Sequence, residues 1–268
     1  MSDLRMVVCC KQVLDPEAPP TSFKIDPSMK MTLPSDIKPV IGQYDEFALE
    51  AALRVRDAVG GKITVLSLGN NFVRDVIKKS LAVGSDELVL MEDAAFEDSD
   101  SWSTAYALSK AIEKLEGYDV IFCGRQSSDW DAGQVGFGLA ELLGLPIVTL
   151  ARKVEAVDGR LRIEQVIPDG YQVVEVPMPA VVTVTSELGN LRYPVLKGIM
   201  AAAKKQPTIW SPAYLGLDAS EVGASGRKLG LDKLYQPVKE AHCEMVEGET
   251  AAEAGANLAL KLREAKVI

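Results

Sequence analysis

The stretch DVIFCGRQSSDWDAGQVGFGLAELL, residues 119–143, sets the frame for the whole chain. Asp119 to Cys123 is a short apolar run of the kind that makes a strand covered on both faces. Gly124 to Gly133 is polar and breaks it, and from about Gln134 to Leu143 the residues resume helical spacing. A strand, a loop and a helix in that order form one half of a βαβ crossover.

Three similar units precede it. Leu4 to Cys10 predicts a first buried strand, and residues 11–40, with six prolines, predict a long excursion before an amphipathic helix at Tyr44–Val59. Ile63–Leu68 and Glu87–Met91 predict further strands, followed by helices at Phe72–Val83 and Trp102–Leu115. Four such units in succession imply an α/β fold, a mostly parallel, doubly wound sheet with helices on both faces. Ligands bind such sheets beyond the carboxyl ends of the strands, where the strand order reverses. The loops after the first, second and fourth strands are the places to look.

From residue 147 the pattern changes. Val154 and Ala156, then Asp158-Gly159, then Leu161 and Ile163, spell a two-residue hairpin, and extended stretches follow at Gln172–Val176 and Ala180–Thr185. The reading adds antiparallel strands to the sheet and divides the chain into a nucleotide-binding α/β domain, 1–205, and an extended C-terminal arm, 206–268. The arm has one amphipathic helix, Thr250–Glu264, and a segment with so few regular elements wraps a neighbour.

Composition narrows the function. With 38 acidic against 29 basic side chains the net charge is −9, which argues against nucleic acid as a partner. The one histidine, His242, removes histidine-rich metal sites and most catalytic triads, so neither a catalytic residue nor a metal is assigned. Cys9, Cys10 and Cys123 sit in apolar runs without CxxC spacing and read as buried free thiols. No apolar run is long enough for a signal peptide or a membrane span, and the expected location is cytoplasmic.

Gly124 to Gly136 is the most informative loop. Gly133 and Gly136 allow close backbone approach, the free amides of a helix start favour a phosphate, and Arg125, Ser127 and Ser128 can add charge and hydrogen bonds. A turn capped by Asp129 or Asp131 explains the same residues, and both readings stand at this point. Asp129 and Asp131 lack a third carboxylate or a histidine nearby and read as loop and capping groups. Lys204-Lys205 ends a short helix, where it complements the helix dipole. Leu191–Ile199, apolar but punctuated by Pro194 and Gly198, is a buried connection or an exposed docking loop.

Taken together, the motifs resemble the β subunit of electron transfer flavoproteins. The opening VVxxKQVLD (Val7–Asp15), ExALEAALR (Glu46–Arg54), GRQSSDxD (Gly124–Asp131) and RYPVLKGIMxxxKK (Arg192–Lys205) occur in the family's order, and the similarity covers about residues 3–218. The resemblance implies a Rossmann-like fold of the adenine-nucleotide α-hydrolase type. It implies an electron carrier, not an enzyme, in a heterodimer with an α subunit and with FAD shared between the two chains. AMP, or in electron-bifurcating members a second FAD together with an NADH site, lies within the β subunit. It also implies acyl-CoA dehydrogenase-type donors, as in fatty acid β-oxidation, and a membrane or soluble acceptor oxidoreductase.

Carried over by position, the implied nucleotide contacts begin with Cys9, then Gly42, Gln43, Tyr44 and Asp45, then Leu68. They continue through Gly124, Arg125, Gln126, Ser127, Ser128, Asp129, Trp130, Asp131, Ala132, Gly133, Gln134 and Val135. The implied docking segment is Arg192, Tyr193, Pro194, Val195, Leu196, Lys197, Gly198, Ile199 and Met200, with Leu196 as its anchor. The chain departs from the family in three places. Gly42-Gln43 replaces a frequent Asn-Pro, Gln134-Val135-Gly136 is nearer the bifurcating members, and Trp130 is large for its loop.

Two other classes share this kind of sheet. Enzymes that hydrolyse or transfer adenylate place a Ser-Gly-Gly loop after the first strand, where this chain has Lys11-Gln12-Val13-Leu14-Asp15-Pro16. A stand-alone nucleotide-binding protein leaves the long tail unexplained.

Overall fold

The computed structural model describes residues 4–26, 31–32, 36–236 and 243–268, so His242 lies outside the described residues. Nine strands form the main sheet, in the order β11-β10-β9-β12-β8-β1-β6-β7-β13. At its centre lies β1 (Arg5–Cys9), parallel to β6 (Lys62–Gly69) on one side and β8 (Val120–Gly124) on the other. Met6 to Cys9 and Val120 to Cys123 are buried without alternation, as expected for strands covered on both faces. The short strands β2 (Gln12–Leu14) and β5 (Pro39–Ile41) pair antiparallel beyond the end of β1 and deliver the chain to the next helix. A separate two-stranded ribbon is formed by β3 (Ile25–Asp26) and β4 (Met31–Thr32).

Helices cover both faces. On one lie α1 (Gln43–Val59), α2 (Arg74–Ile77), α3 (Lys79–Ala82) and α6 (Leu196–Lys204), packed on the side of Met6, Val8 and Phe122. On the other lie α4 (Ser101–Lys114), α5 (Val135–Leu143) and α7 (Pro212–Leu215), against Val7, Ile121 and Cys123. Gly136 and Gly138 let α5 sit close: an added Cβ would come 2.7 Å from the Thr183 methyl and 2.7 Å from the Ala105 Cβ. The chain leaves β1 through α1 to β6, extends to β7 (Glu87–Glu92), and returns through α4 to β8. The strand order therefore reverses between β1 and β8, and sheets of this kind take their ligands at the carboxyl ends of such a pair.

Several sequence expectations need correction. The helix expected at Phe72–Val83 is two short ones. Phe72 N–H and Val73 N–H are held by Glu92 and Gln12 side chains, and Ser80 Oγ donates to the Ile77 carbonyl at 2.7 Å, across the break at Lys78. The strands after residue 147 are not all antiparallel additions. β9 (Ile147–Val157), β10 (Arg160–Ile167) and β11 (Gly170–Pro177) do make antiparallel hairpins, with Asp158 and Gly159 both at positive φ in the first turn. However, β9 itself runs parallel to β12 (Ala180–Val184), which is parallel to β8 and buried at all five positions. The α5 crossover before β9 dictates that direction, and the half-exposed alternation of β9 disguises it.

The sheet-bearing unit also runs past Lys205. β13 (Thr208–Trp210) joins β7 in parallel as the edge strand, and α8 (Gly223–Gly226) follows, with Leu215, Leu217 and Val222 buried in the core. The Asp100 carboxylate caps α4 and accepts the Lys228 and Leu229 amides, tying this segment down. The compact unit ends at Asp232. A second unit comprises residues 25–31 and 233–268, and its helix, α9 (Ala251–Glu264), is capped by Thr250 and has no buried residue. Among the described residues no helix is long and apolar enough to cross a membrane.

Candidate functional site

The β1/β8 crevice is built by the ends of four elements. Past β1, Cys10 N–H donates to Leu66 O of β6 at 2.9 Å, and Gly42 N–H donates to Lys11 O at 2.8 Å. These bonds set the first turn of α1 against the strand ends. Gly124, the last residue of β8, is in close contact with that turn: an added Cβ would lie 2.6 Å from Asp45 Oδ1 and 2.7 Å from Tyr44 C. Only glycine fits there, which gives Gly124 a structural reason independent of any ligand.

Asp45 is the buried charge of the site. Its Oδ2 accepts Lys11 N–H at 2.8 Å, and the Gly124 amide also bonds it. The Lys11 ammonium instead meets Asp129 Oδ2 at 2.6 Å. Burial outweighs both amides and raises the Asp45 carboxyl to about 7. Cys9 and Cys123 stand at matching positions on β1 and β8, and both are buried free thiols, as is Cys10. The Cys123 thiol is pushed up by its bond with Cys9 and by burial, and that of Cys10 by burial and then by Asp45. Neither is poised as a nucleophile.

The loop after β8 is held in shape by its own side chains. Arg125 N–H donates to Val184 O at 2.9 Å, its guanidinium lies 5.0 Å from the Tyr44 ring centre, and its Nε donates to Gln126 Oε1 at 3.0 Å. Gln126 Nε2 in turn donates to Asp131 Oδ1 at 2.7 Å, and Asp131 N–H to Ser127 O at 2.9 Å. Neither aspartate caps α5. Gln134 stands at its N-cap with no side-chain bond, so no side chain caps the start of the helix. The Ser128 hydroxyl is buried with no partner, and Gly133 adopts φ +63° as the chain turns into α5. An uncapped helix start, an unpaired buried hydroxyl and a glycine turn are the features that a phosphate group would satisfy.

Cys9, Leu68 and Gly124–Val135 thus fall at or beyond the carboxyl ends of the central strands β1, β6 and β8, and Gly42–Asp45, at the start of α1, are held against the ends of β1 and β8. Gln43, Asp129, Asp131, Ala132 and Gln134 are exposed, and Trp130 is 60% exposed. Two residues of consequence escaped the sequence reading. Lys11, the partner of Asp129, ends the first apolar run and has no sequence spacing that pairs it with a residue 118 positions on. Glu50 is buried on α1, and its signal was a charge lying within an apolar helix face.

The segment Arg192–Met200 lies elsewhere, between β12 and the first turns of α6. Tyr193 is 94% exposed and Leu196 72%, with Val195, Lys197, Ile199 and Met200 also exposed. Leu196 is the first residue of α6 and packs into no core. Gly198 allows α6 to lie on α3, where an added Cβ would be 2.3 Å from Ala82 O.

Comparison with known proteins agrees with this architecture. Residues 34–214 match the family model of the electron transfer flavoprotein domain. The electron transfer flavoprotein subunit beta of Thermoanaerobacterium thermosaccharolyticum is 39% identical over 266 residues, 99% of this chain and 100% of that protein. Subunit CarD of the caffeyl-CoA reductase-Etf complex of Acetobacterium woodii is 32% identical over the same shares. Protein FixA of Azorhizobium caulinodans is 34% identical over 265 residues, 96% of this chain and 93% of that one.

Proposed function

The chain belongs to the β-subunit family of electron transfer flavoproteins, and we propose that it serves as the β subunit of a heterodimer that carries electrons in the cytoplasm. The donors are dehydrogenases of the acyl-CoA type, the acceptor is an oxidoreductase, and the electrons pass through FAD held with an α subunit. The observation that carries this reading is the end-to-end similarity to named β subunits. The residues beyond 232 have the role of an arm that wraps the α subunit.

Within the β1/β8 crevice the reading places an adenine nucleotide. Ser128 Oγ and the uncapped start of α5 are its phosphate donors, Arg125 adds charge beside them, and Gly133 gives the backbone its close approach. The Gln126–Asp131 and Lys11–Asp129 contacts hold the loop ready, so little ordering is needed on binding. Flavin supplies the one- and two-electron chemistry that no side chain of this chain provides.

AMP is the smaller occupant of the crevice. The second reading, a second FAD in a bifurcating complex, is favoured by Gln134-Val135-Gly136, whereas the bulk of Trp130, 60% exposed, favours the smaller AMP. The naming of a relative as part of a reductase-Etf complex supports the same reading. Co-expression with the α subunit, release of bound nucleotides with acid and their identification by mass test all of this. One FAD and one AMP per heterodimer fit a plain carrier, and two FAD fit a bifurcating one. A chain that purifies alone, colourless and without nucleotide when the α subunit is present would sink the proposal.

A further inference from the structure

Glu50 is a carboxylate that neither the crevice nor the sheet needs. Its side chain is 6% exposed on α1, yet it receives four hydrogen bonds from two arginines. Arg192 donates from Nε at 3.0 Å, from Nη2 at 3.1 Å and from its backbone N–H at 3.1 Å, and Arg54 donates from Nε at 2.9 Å. Burial works to raise the carboxyl, but Arg192 and Arg54 outweigh it and hold it below the ordinary value. Arg192 continues to Asp57 at 2.6 Å, and Arg54 Nη1 donates to Leu188 O at 2.8 Å. The chain just before the exposed segment is thereby fixed to α1 at two successive points.

The far end of the segment is fixed independently. Gly198 lies on the Ala82 carbonyl, Ala202 is buried, Lys78 Nζ donates to Ala203 O at 3.1 Å and Lys205 Nζ to Asp86 O at 2.7 Å. Between these anchors, residues 193–195 have no regular secondary structure and Leu196 only begins α6. We infer that Glu50 is the positioning residue of the docking segment, holding Arg192 so that Tyr193 to Lys197 are displayed in one conformation before a partner arrives. This rests on the reading of Arg192–Met200 as the segment that meets the electron donor. The bidentate fork of an arginine matches a carboxylate, whereas lysine offers one point charge and leaves the segment free to pivot. Preorganised segments spare the ordering cost on binding, so loosening the anchor weakens encounter while leaving the chemistry intact.

The experiment uses the full heterodimer with an acyl-CoA dehydrogenase as electron donor and compares Glu50→Gln, Arg192→Lys and Leu196→Ala. Glu50→Gln, outside the segment that meets the donor, should raise the dehydrogenase's KM for the heterodimer about tenfold at unchanged kcat, and Arg192→Lys, within that segment, should raise it at least as far. The flavin spectrum and reduction by dithionite should stay as in the natural heterodimer, and amide exchange at residues 193–197 should accelerate. A merely structural role would instead lower melting temperature with KM unmoved. If Leu196→Ala raises KM while both anchor variants keep natural KM and exchange, the inference is overturned and the docking reading stands. If Leu196→Ala leaves KM unchanged, both fall together.

Discussion

Asp45 is the residue through which pH should act on this fold. Its carboxyl is buried, accepts two backbone amides and has no ion pair among the described residues, since Asp129 takes the Lys11 ammonium. Burial raises it from an ordinary 3.8 to about 7. With the folded value above the unfolded one, the unfolded chain gives up its proton first as pH rises. Stability is therefore greatest below the unfolded pKa, declines up to about 7 and is level above that. At about 1.4 kcal/mol per unit, a gap of roughly three units costs about 4 kcal/mol in the alkaline limit. Asp45→Asn abolishes the titration, and its side-chain oxygen still accepts the Lys11 amide while the Gly124 bond is lost. That loss is a constant offset, so the slope and not the sign is diagnostic. In urea unfolding from about pH 5 to about pH 8, the natural chain should lose roughly 2–3 kcal/mol relative to the variant. Most of the change should fall below about pH 7. A difference constant to within about 0.5 kcal/mol would mean the carboxyl is already ionised at the acid end, and the burial argument would be wrong.

Gly133→Val forces a β-branched residue to φ +63°, a strain of about 1–3 kcal/mol, and should lower the nucleotide released per purified heterodimer; natural occupancy would contradict the phosphate turn. Leu196→Ala removes an exposed side chain, so stability should move by less than about 0.5 kcal/mol, far from the roughly 2–5 kcal/mol of a core leucine, while electron transfer from the dehydrogenase slows. Truncation after Asp232 should leave the sheet unit's melting unchanged and weaken capture of the α subunit on gel filtration. A cut after Leu217 should unfold the sheet unit as well, because it removes buried Val222 and the two amides held by Asp100.

The crossover frame was legible because β1, β6, β7 and β8 are apolar runs and α1, α4 and α5 between or after them keep plain 3.6-residue spacing, and those signals are local. The Asp158-Gly159 turn was legible for the same reason. What escaped was set at long range. The direction of β9 and β12 depends on which neighbour each meets, and Thr208–Trp210 is too short to announce a strand until β7 offers it an edge. That a loop follows β8 is plain from its polar residues, but its internal order is not. Asp129 and Asp131 looked like helix caps, whereas Lys11 and Gln126 claim them from outside the helix. Pairings of that kind carry no sequence spacing to read.

Asp45 and Glu50 show how partner choice decides what a buried carboxylate becomes. They lie five residues apart on α1, about 7–8 Å along its axis, and both are removed from water. Asp45 is held by two backbone amides, and these with the Lys11 charge do not repay the loss of hydration, so its carboxyl rises to about 7. Glu50 meets two guanidinium groups, which do, and it is held ionised. An uncompensated group can respond to what enters the crevice beside it, whereas a group locked by four hydrogen bonds can only hold its partner in place. Both sit on α1, whose first turn rests against Gly124 and whose Glu50 holds Arg192. Substitutions at the β1/β8 ends that alter the position of α1 should alter amide exchange at residues 193–197, even with residues 192–200 untouched.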